Sequence, residues 1–304
     1  MLSRCLEKLE RQTFRDFNVL VVDNASDQPA PDGLLSAHPR VTLIRNQSNL
    51  GFAAANNQAI ALSGDAEWVV LLNPDAFPEP DWLERLVEAA EENPDYSMFA
   101  SRQIMDANRL LLDGEGDMYH VSGLVWRKGH GKPANDAIRQ PQEIFAPCAA
   151  GGLYRRDALV SVGGFDEDFF CYVEDVDLGF RLRLMGHRCL LAPGAVVYHI
   201  GSATSGGRQG DFAVYHGHRN LVWAYVKNMP GWLFWACLPL HLAMNLITVA
   251  EFIKRGKGRV ILRAKRDALL GLPKMWRKRR EIQKNRVASA GQIWRVLDKS
   301  VFGR

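Results

Sequence analysis

Three short apolar runs each end in a cluster of polar side chains that could do chemistry. Residues 17–22 lead into Asp23-Asn24-Ala25-Ser26, residues 41–44 into Arg45-Asn46 and then Asn49-Leu50-Gly51, and residues 68–72 into Asn73-Pro74-Asp75. Asp75 offers a hard carboxylate oxygen, and one carboxylate suffices for a Mg²⁺-type cation when substrate phosphates supply the other ligands. A denser constellation spans residues 163–181, where Glu174, Asp175 and Asp177 stand together before an apolar helical pattern. A carboxylate fixed at a helix start beside a second carboxylate is a way to hold a general base with a raised pKa. Capping that helix is the plainer use of the same acids. His199 follows a further apolar run and precedes a glycine, a position for a metal or phosphate ligand. Gly151-Gly152 would let a ligand approach the backbone, or else mark a bend. The sequence has no G-x-G-x-x-G and no P-loop, which removes the two commonest phosphate-binding signatures.

The elements that must hold these residues alternate in period. Helical spacing at residues 2–12, 52–62 and 82–90 is interleaved with the strand-like runs, and strand alternating with helix at this spacing predicts an α/β fold with a mostly parallel sheet. Ligands of such sheets bind beyond the carboxyl ends of the strands, where the polar clusters lie. Residues 97–150 read as shorter strands and loops, and a helix is expected from about 174 to 185, stopped by Gly186.

Composition narrows the class. The chain has 304 residues, 47% of them hydrophobic and 24% charged, which excludes collagen-like, coiled-coil and wholly disordered proteins. Five cysteines without a C-x-x-C pair argue against a disulfide framework and a structural zinc, and the opening residues carry no signal-peptide core. A net charge of +4 hides a strong asymmetry, since residues 254–304 carry 17 Lys and Arg against three acids, a net of +14. Just before that tail, residues 229–250 contain no Asp, Glu, Lys or Arg, long enough to cross a bilayer but interrupted by Pro230, Pro239, His241 and Asn245. A basic tail behind an apolar run points to anionic membrane lipid as partner rather than nucleic acid.

The order of these motifs resembles the inverting glycosyltransferases of family 2, with their GT-A fold, and especially the bacterial rhamnosyltransferase-like branch. The residues that carry the resemblance are VVDNAS, NLGFAAANN, LLNPDA, GGFDEDFFCYVEDVDLGFRLRLMG and VVYHIGSAT, over roughly residues 1–228. It implies that Asp23 contacts the nucleotide base, that Asn24 and Ser26 beside it belong to the donor site, and that Asn49, Gly51 and Asn57 line the nucleotide-sugar pocket. Asn73-Pro74-Asp75 would be the variant D-x-D element, with Asp75 and His199 near Mg²⁺ or Mn²⁺ and the donor diphosphate; Gly151 and Gly152 are added to the donor site. Asp175 of the Glu174-Asp175 pair would be the base. Family members open with an apolar strand ahead of the helix at residues 2–12, and this chain starts inside that helix. A truncated or mis-assigned start is therefore expected, with a slot between the runs at 17–22 and 68–72.

The resulting expectation is a GT-A glycosyltransferase domain over residues 1–210 and a helical membrane-associating extension over residues 211–304. The donor would be a dTDP- or UDP-sugar, the acceptor a saccharide or polyprenyl-diphosphate-linked saccharide, and the product a cell-surface polysaccharide. Nucleotide sugars are cytosolic and the positive-inside rule keeps the tail there too, so the apolar run should lie along the cytoplasmic face of the inner membrane rather than cross it. A buried helix or a homodimer interface is the other use of that run. The competing functions are a nucleotidyltransferase of similar fold and a non-catalytic, membrane-associated truncated homologue.

Overall fold

A computed structural model describes residues 1–28, 30, 33, 38–201 and 210–300. In chain order the elements are α1 (Leu2–Glu10), β1 (Val19–Asp23), β2 (Val41–Arg45), α2 (Phe52–Ala61), β3 (Trp68–Leu72), β4 (Ala76–Pro78), α3 (Trp82–Glu92) and β5 (Met98–Met105). Short strands follow, β6 (Leu112–Gly114), β7 (Asp117–Tyr119), β8 (Val125–Arg127), β9 (Gln142–Ile144) and β10 (Gly151–Arg155). The chain then forms α4 (Arg156–Ser161), α5 (Glu174–Leu184), β11 (Cys189–His199), α6 (Asp211–Asn228), α7 (Gly231–Lys254), α8 (Gly258–Leu270), α9 (Leu272–Lys284) and α10 (Ala290–Val296).

The main sheet runs β3-β10-β5-β11-β4, with β6 on β5 and β9 on β11. Its hydrogen-bonded pairs are mixed. β3, β5 and β11 point the same way, as a parallel scaffold requires, but β10 is intercalated antiparallel between β3 and β5, and β4 runs antiparallel on β11. The physical reason is the return of the chain through β10, which places a strand of opposite sense where a parallel neighbour was expected. β1 and β2 form a separate parallel pair. Among the described residues β1 and β3 share no ladder, and residues 19–22 and 68–70 are only half-buried.

The helices cover the sheet for legible reasons. α3 turns Trp82, Leu83, Leu86 and Ala90 inward at helical spacing, and the buried side chain of Gln12 accepts the Leu83 amide at 2.9 Å, satisfying a helix-start donor from a distant element. α5 is buried along nearly its whole length, so its polar residues need internal partners: Arg181 pairs with Asp177 at 2.9 Å and Arg183 with Glu143 at 3.1 Å. α6 then packs on α5, α8 and α9 at once. One hydrophobic core joins Tyr119, Phe145 and Phe180 to Trp223, Tyr225, Leu233 and Met275, so the helices after residue 210 share their core with the sheet-bearing part.

Part of the tail's positive charge faces inward. Lys274 reaches Asp168 at 2.5 Å, and Lys278 pairs with Asp166 and, at 2.6 Å, with Asp168. Lys227, fully buried, lies 2.5 Å from Asp166 and 2.7 Å from Asp177. These bridges fasten α6 and α9 to the acid-rich segment that precedes α5. All five cysteines are free thiols.

Candidate active site

The β4·β11 ladder brings Asp75 and His199 together across 124 residues of chain, pairing His199 with Ala76 while the Ile200 amide donates to the Asp75 carbonyl at 3.1 Å. His199 Nε2 lies 3.5 Å from Asp75 Oδ1, and its Nδ1 lies 2.7 Å from Asp113 Oδ2. Arg127 and His130 also converge on Asp113. Burial alone would lower the imidazole pKa, but hydrogen bonding to Asp113 and Asp75 outweighs it and the net shift is upward. His199 Nε2 is buried and faces the Asp75 carboxylate. An imidazole whose far nitrogen is tied to a carboxylate and whose near nitrogen faces a second carboxylate forms with the latter a pair that could hold a divalent cation. The rest of this motif, from Ser202 to Thr204, lies outside the described residues.

The Glu174-Asp175 pair begins α5 after a stretch of strained backbone. Phe170, Tyr172 and Val173 all have positive φ, at 64°, 67° and 70°, the last a β-branched residue for which that region is a true outlier. Asn220 of α6 holds the stretch: its fully buried Nδ2 lies 2.9 Å from the Phe169 carbonyl, 3.0 Å from Cys171 and 2.8 Å from Tyr172. Arg219 adds contacts of 3.0 Å to the carbonyls of Asp168 and Phe169. From the other side, the Ala53 amide donates to the Phe170 carbonyl at 3.2 Å, and Gly51 leaves the space that the Phe170 ring occupies.

Asp175 accepts the Ala149 amide at 3.2 Å and the Val176 amide at 2.8 Å. Burial pushes its pKa up, with those amides and Arg127 holding it back. Burial, reinforced by the Asp175 carboxylate, pushes Glu174 well above the usual range, and its Oε2 has no hydrogen-bond partner. Two amides stabilise charge on Asp175 and none of these reaches Glu174 Oε2, so of the pair Glu174 is pushed up the further and the charged form of Asp175 is the better supported. The ligand atoms of Asp117, Cys148 and Asp175 lie within 4.8 Å of one another. Burial pushes the Cys148 thiol up to about 12 and Arg127 supplies positive charge beside all three, so this group suits proton handling rather than a second cation. Asp177 takes no part; it turns to Arg181, Lys227 and Asn228.

The other candidates divide. Asn24, Asn49 and Gly51 form one network: Asn24 Nδ2 lies 2.9 Å from Asn49 Oδ1, and Asn24 Oδ1 accepts the Leu50 amide at 3.1 Å. Asp23 folds back on its own loop, accepting the amides of Ser26 at 3.0 Å and Ala30 at 3.3 Å. Burial would raise its pKa, yet these bonds and Arg45 bring the net shift down, so it remains charged. Asn57 faces away, tying α2 to Phe165 and Glu167 at 2.8–2.9 Å. Asn73 contributes its carbonyl, accepting the Ala76 amide at 3.0 Å. Gly151 and Gly152 sit inside β10, opposite Leu72 and Leu71, and the space their Cβ atoms would fill is met by Ser101, Pro147 and Tyr154. They serve close packing of the sheet beside the Asp75 turn.

Sequence reading missed Asp113, Asp117, Arg127, Cys148 and Asn220. The first two belong to Asp113-Gly114-Glu115-Gly116-Asp117, whose three acids are all buried.

Comparison with known proteins agrees with this geometry. The model of the family described as glycosyl transferase family 2 matches residues 1–163. A Mycobacterium tuberculosis protein named N-acetylglucosaminyl-diphospho-decaprenol L-rhamnosyltransferase is 34% identical over 233 residues, covering 67% of this chain and 73% of that one. The O-antigen biosynthesis protein RfbC of Myxococcus xanthus is 28% identical over 223 residues, 67% of this chain and 16% of that protein. Among solved structures, the mannosyltransferase PcManGT from Pyrobaculum calidifontis, in complex with GDP-Man and Mn²⁺, superposes with a TM-score of 0.54 at 20% identity, over 93% of this chain and 80% of that one. GalNAc-T7 with UDP, GalNAc and Mn²⁺ gives 0.58 at 14% identity, over 74% and 45%. At those identities the likeness is one of fold. With the family model spanning more than half its length and a relative 34% identical over two thirds of it, the chain is a nucleotide-sugar glycosyltransferase and belongs to glycosyl transferase family 2.

Proposed function

We propose that the protein transfers a sugar, with rhamnose the first candidate, from a dTDP- or UDP-linked donor to a hydroxyl of a polyprenyl-diphosphate-linked saccharide, with inversion. The observation that carries this is Asp175, a half-buried carboxylate held by two amides at a helix start beside the buried Glu174, whose pKa burial pushes well above the usual range. Asp175 accepts the proton of the acceptor hydroxyl, and that oxygen attacks the anomeric carbon from the face opposite the nucleotide. The bond from that carbon to the diphosphate oxygen breaks, and the electron pair leaves with the nucleoside diphosphate. A divalent cation held by Asp75 and His199 would neutralise the leaving diphosphate as a Lewis acid. Asn24, Asn49 and Gly51 shape the loop proposed to bind the donor, and Arg127 links the metal side to the base side through Asp113 and Asp117.

The acceptor and the location come from the helical extension over residues 211–304. α7 packs one face on the body through Leu233, Phe234, Cys237 and His241, whose ring stacks on Tyr225 at 3.9 Å. Its other face exposes Trp232, Trp235, Leu242, Leu246 and Ile247. A helix that keeps one side on the protein cannot offer its whole circumference to lipid, so α7, roughly 36 Å long at about 1.5 Å per residue, lies in the cytoplasmic leaflet. This would hold the active site beside a lipid-linked acceptor. The test is release of nucleoside diphosphate from a panel of dTDP- and UDP-sugars with Mn²⁺ or Mg²⁺, with and without a polyprenyl-diphosphate-GlcNAc acceptor. Acceptor-dependent release from one donor is expected; release from none overturns the assignment.

A further inference from the structure

At the start of α7, where it meets α9, a cavity of about 270 Å³ is lined by Gly231, Trp276, Arg279, Arg280, Gln283 and Arg286. Three guanidinium groups share this wall, and no carboxylate does. Arg279 is fixed, with Nη1 2.6 Å from the Met229 carbonyl and 3.0 Å from that of Val226, and with its guanidinium 4.5 Å from the centre of the Phe234 ring. Arg286 Nη1 is buried without a hydrogen-bond partner and lies 3.8 Å from where a Cβ on Gly231 would stand. Among the described residues neither Arg280 nor Arg286 has an acidic partner. Like charges gathered in a partly buried pocket without a counter-ion call for an anion, and guanidinium groups match the geometry of phosphate oxygens. The amino end of the 24-residue α7 adds its positive dipole on the same wall.

The surroundings say which anion. Trp232, Trp235, Trp276 and Trp294 are all exposed around this end of α7, with the rings of Trp232 and Trp294 6.2 Å apart. Tryptophans collect at the headgroup level of a bilayer, so a basic cavity among them lies at phosphate depth when the apolar face of α7 rests in the acyl region. Its volume is below the roughly 300–1,000 Å³ of drug-sized pockets and suits a headgroup. We propose that this cavity binds the phosphate of an anionic phospholipid and so fixes the orientation of the enzyme on the membrane. The proposal rests on the in-plane reading of α7.

The full chain is tested by flotation with phosphatidylcholine vesicles, with and without about a third phosphatidylglycerol, and by titration with a soluble short-chain phosphatidylglycerol. In Arg280→Gln/Arg286→Gln, affinity for the anionic vesicles should fall at least roughly tenfold further than in the equally charged control Lys254→Gln/Arg259→Gln. Binding of the short-chain lipid should disappear. Equal losses in the two variants would reduce the effect to general surface charge and overturn the proposal. So would competition by inorganic phosphate at the same concentration as the short-chain lipid, which would make free phosphate the ligand. If wild-type protein floats with no vesicle, the in-plane reading fails; the short-chain titration then still decides the cavity, and no binding there overturns it. Arg280→Gln alone, at an exposed side chain, keeps the comparison available if the double variant does not fold.

Discussion

Asn220→Ala separates a positioning role from a merely structural one. The Asn220 amide has two N–H groups facing three carbonyls at 2.8–3.0 Å, so about two net hydrogen bonds are lost, at about 1 kcal/mol each. The stretch it holds contains three non-glycine residues at positive φ, each costing about 1–3 kcal/mol to maintain. Without the clamp this stretch relaxes, and the helix start carrying Glu174 and Asp175 moves with it. If about 2 kcal/mol of bias toward the productive arrangement disappears, turnover falls roughly 30-fold, at about 1.36 kcal/mol per factor of ten. Donor KM should change less than about threefold, because the Asn24–Asn49 loop is held by its own hydrogen bonds and meets the clamped stretch only where Phe170 packs on Gly51. Steady-state kinetics well below the unfolding temperature are compared with Leu86→Ala, a cavity in the core under α3 that costs about 2–5 kcal/mol of stability without touching this stretch. Leu86→Ala should keep wild-type turnover. Wild-type turnover in a folded Asn220→Ala, or an equal loss in Leu86→Ala, would refute the positioning argument.

Asp175→Asn should retain donor binding and lose at least about 100-fold in turnover, read by calorimetry and single-turnover kinetics; unchanged turnover moves the base elsewhere. Asp113→Asn, which touches the proposed cation only through His199, should weaken the Mn²⁺ titration by roughly 10–100-fold, and Asp75→Ala by more. An Asp113→Asn titration that overlays wild type would remove the second carboxylate from the metal side. Glu174 has its folded pKa raised well above the ordinary glutamate range, so the stability it contributes is complete at low pH and is lost as pH climbs toward that raised value. Glu174→Gln, which mimics the neutral acid, should therefore gain thermal stability over wild type at about pH 8 and little at about pH 5. A gain that shrinks with rising pH would reverse the assignment of the proton.

Elements were legible in the sequence where periodicity and punctuation agreed. The run at 68–72 became β3, and the helix expected near 174–185 became α5 (Glu174–Leu184), because apolar spacing, acids at the start and Gly186 at the end all pointed the same way. Sheet order was harder to read. Nothing local in Gly151–Arg155 announces that it will slip antiparallel between β3 and β5, since strand sense is decided by where the chain returns. The basic tail misled in part, because a lysine count carries no direction. Lys274 and Lys278 lie among the most basic residues of the chain, yet they face Asp166 and Asp168, and Arg279 is buried beneath Phe234.

The candidate site was legible at strand ends and helix starts, where a polar residue interrupting an apolar pattern stands out, as Asp75, Glu174, Asp175 and His199 do. Asp113 and Asp117 were not, because they sit in and beside three-residue strands with no apolar run to interrupt. Their meaning comes from partners far along the chain: Asp113 from His199, 86 residues on, and Asp117 from Cys148 and Asp175. A buried acid cannot persist without such partners, so a polar stretch that is too acidic for its predicted burial is itself a signal. In Asp113-Gly114-Glu115-Gly116-Asp117 the glycines allow the close turns that bury the acids, and the acids then require the cations Arg102 and Arg127 that the structure supplies. That dependence runs from the metal side of the site to the base side through Arg127. Removing this one arginine should therefore disturb both Asp113, which orients His199, and Asp175, the proposed base.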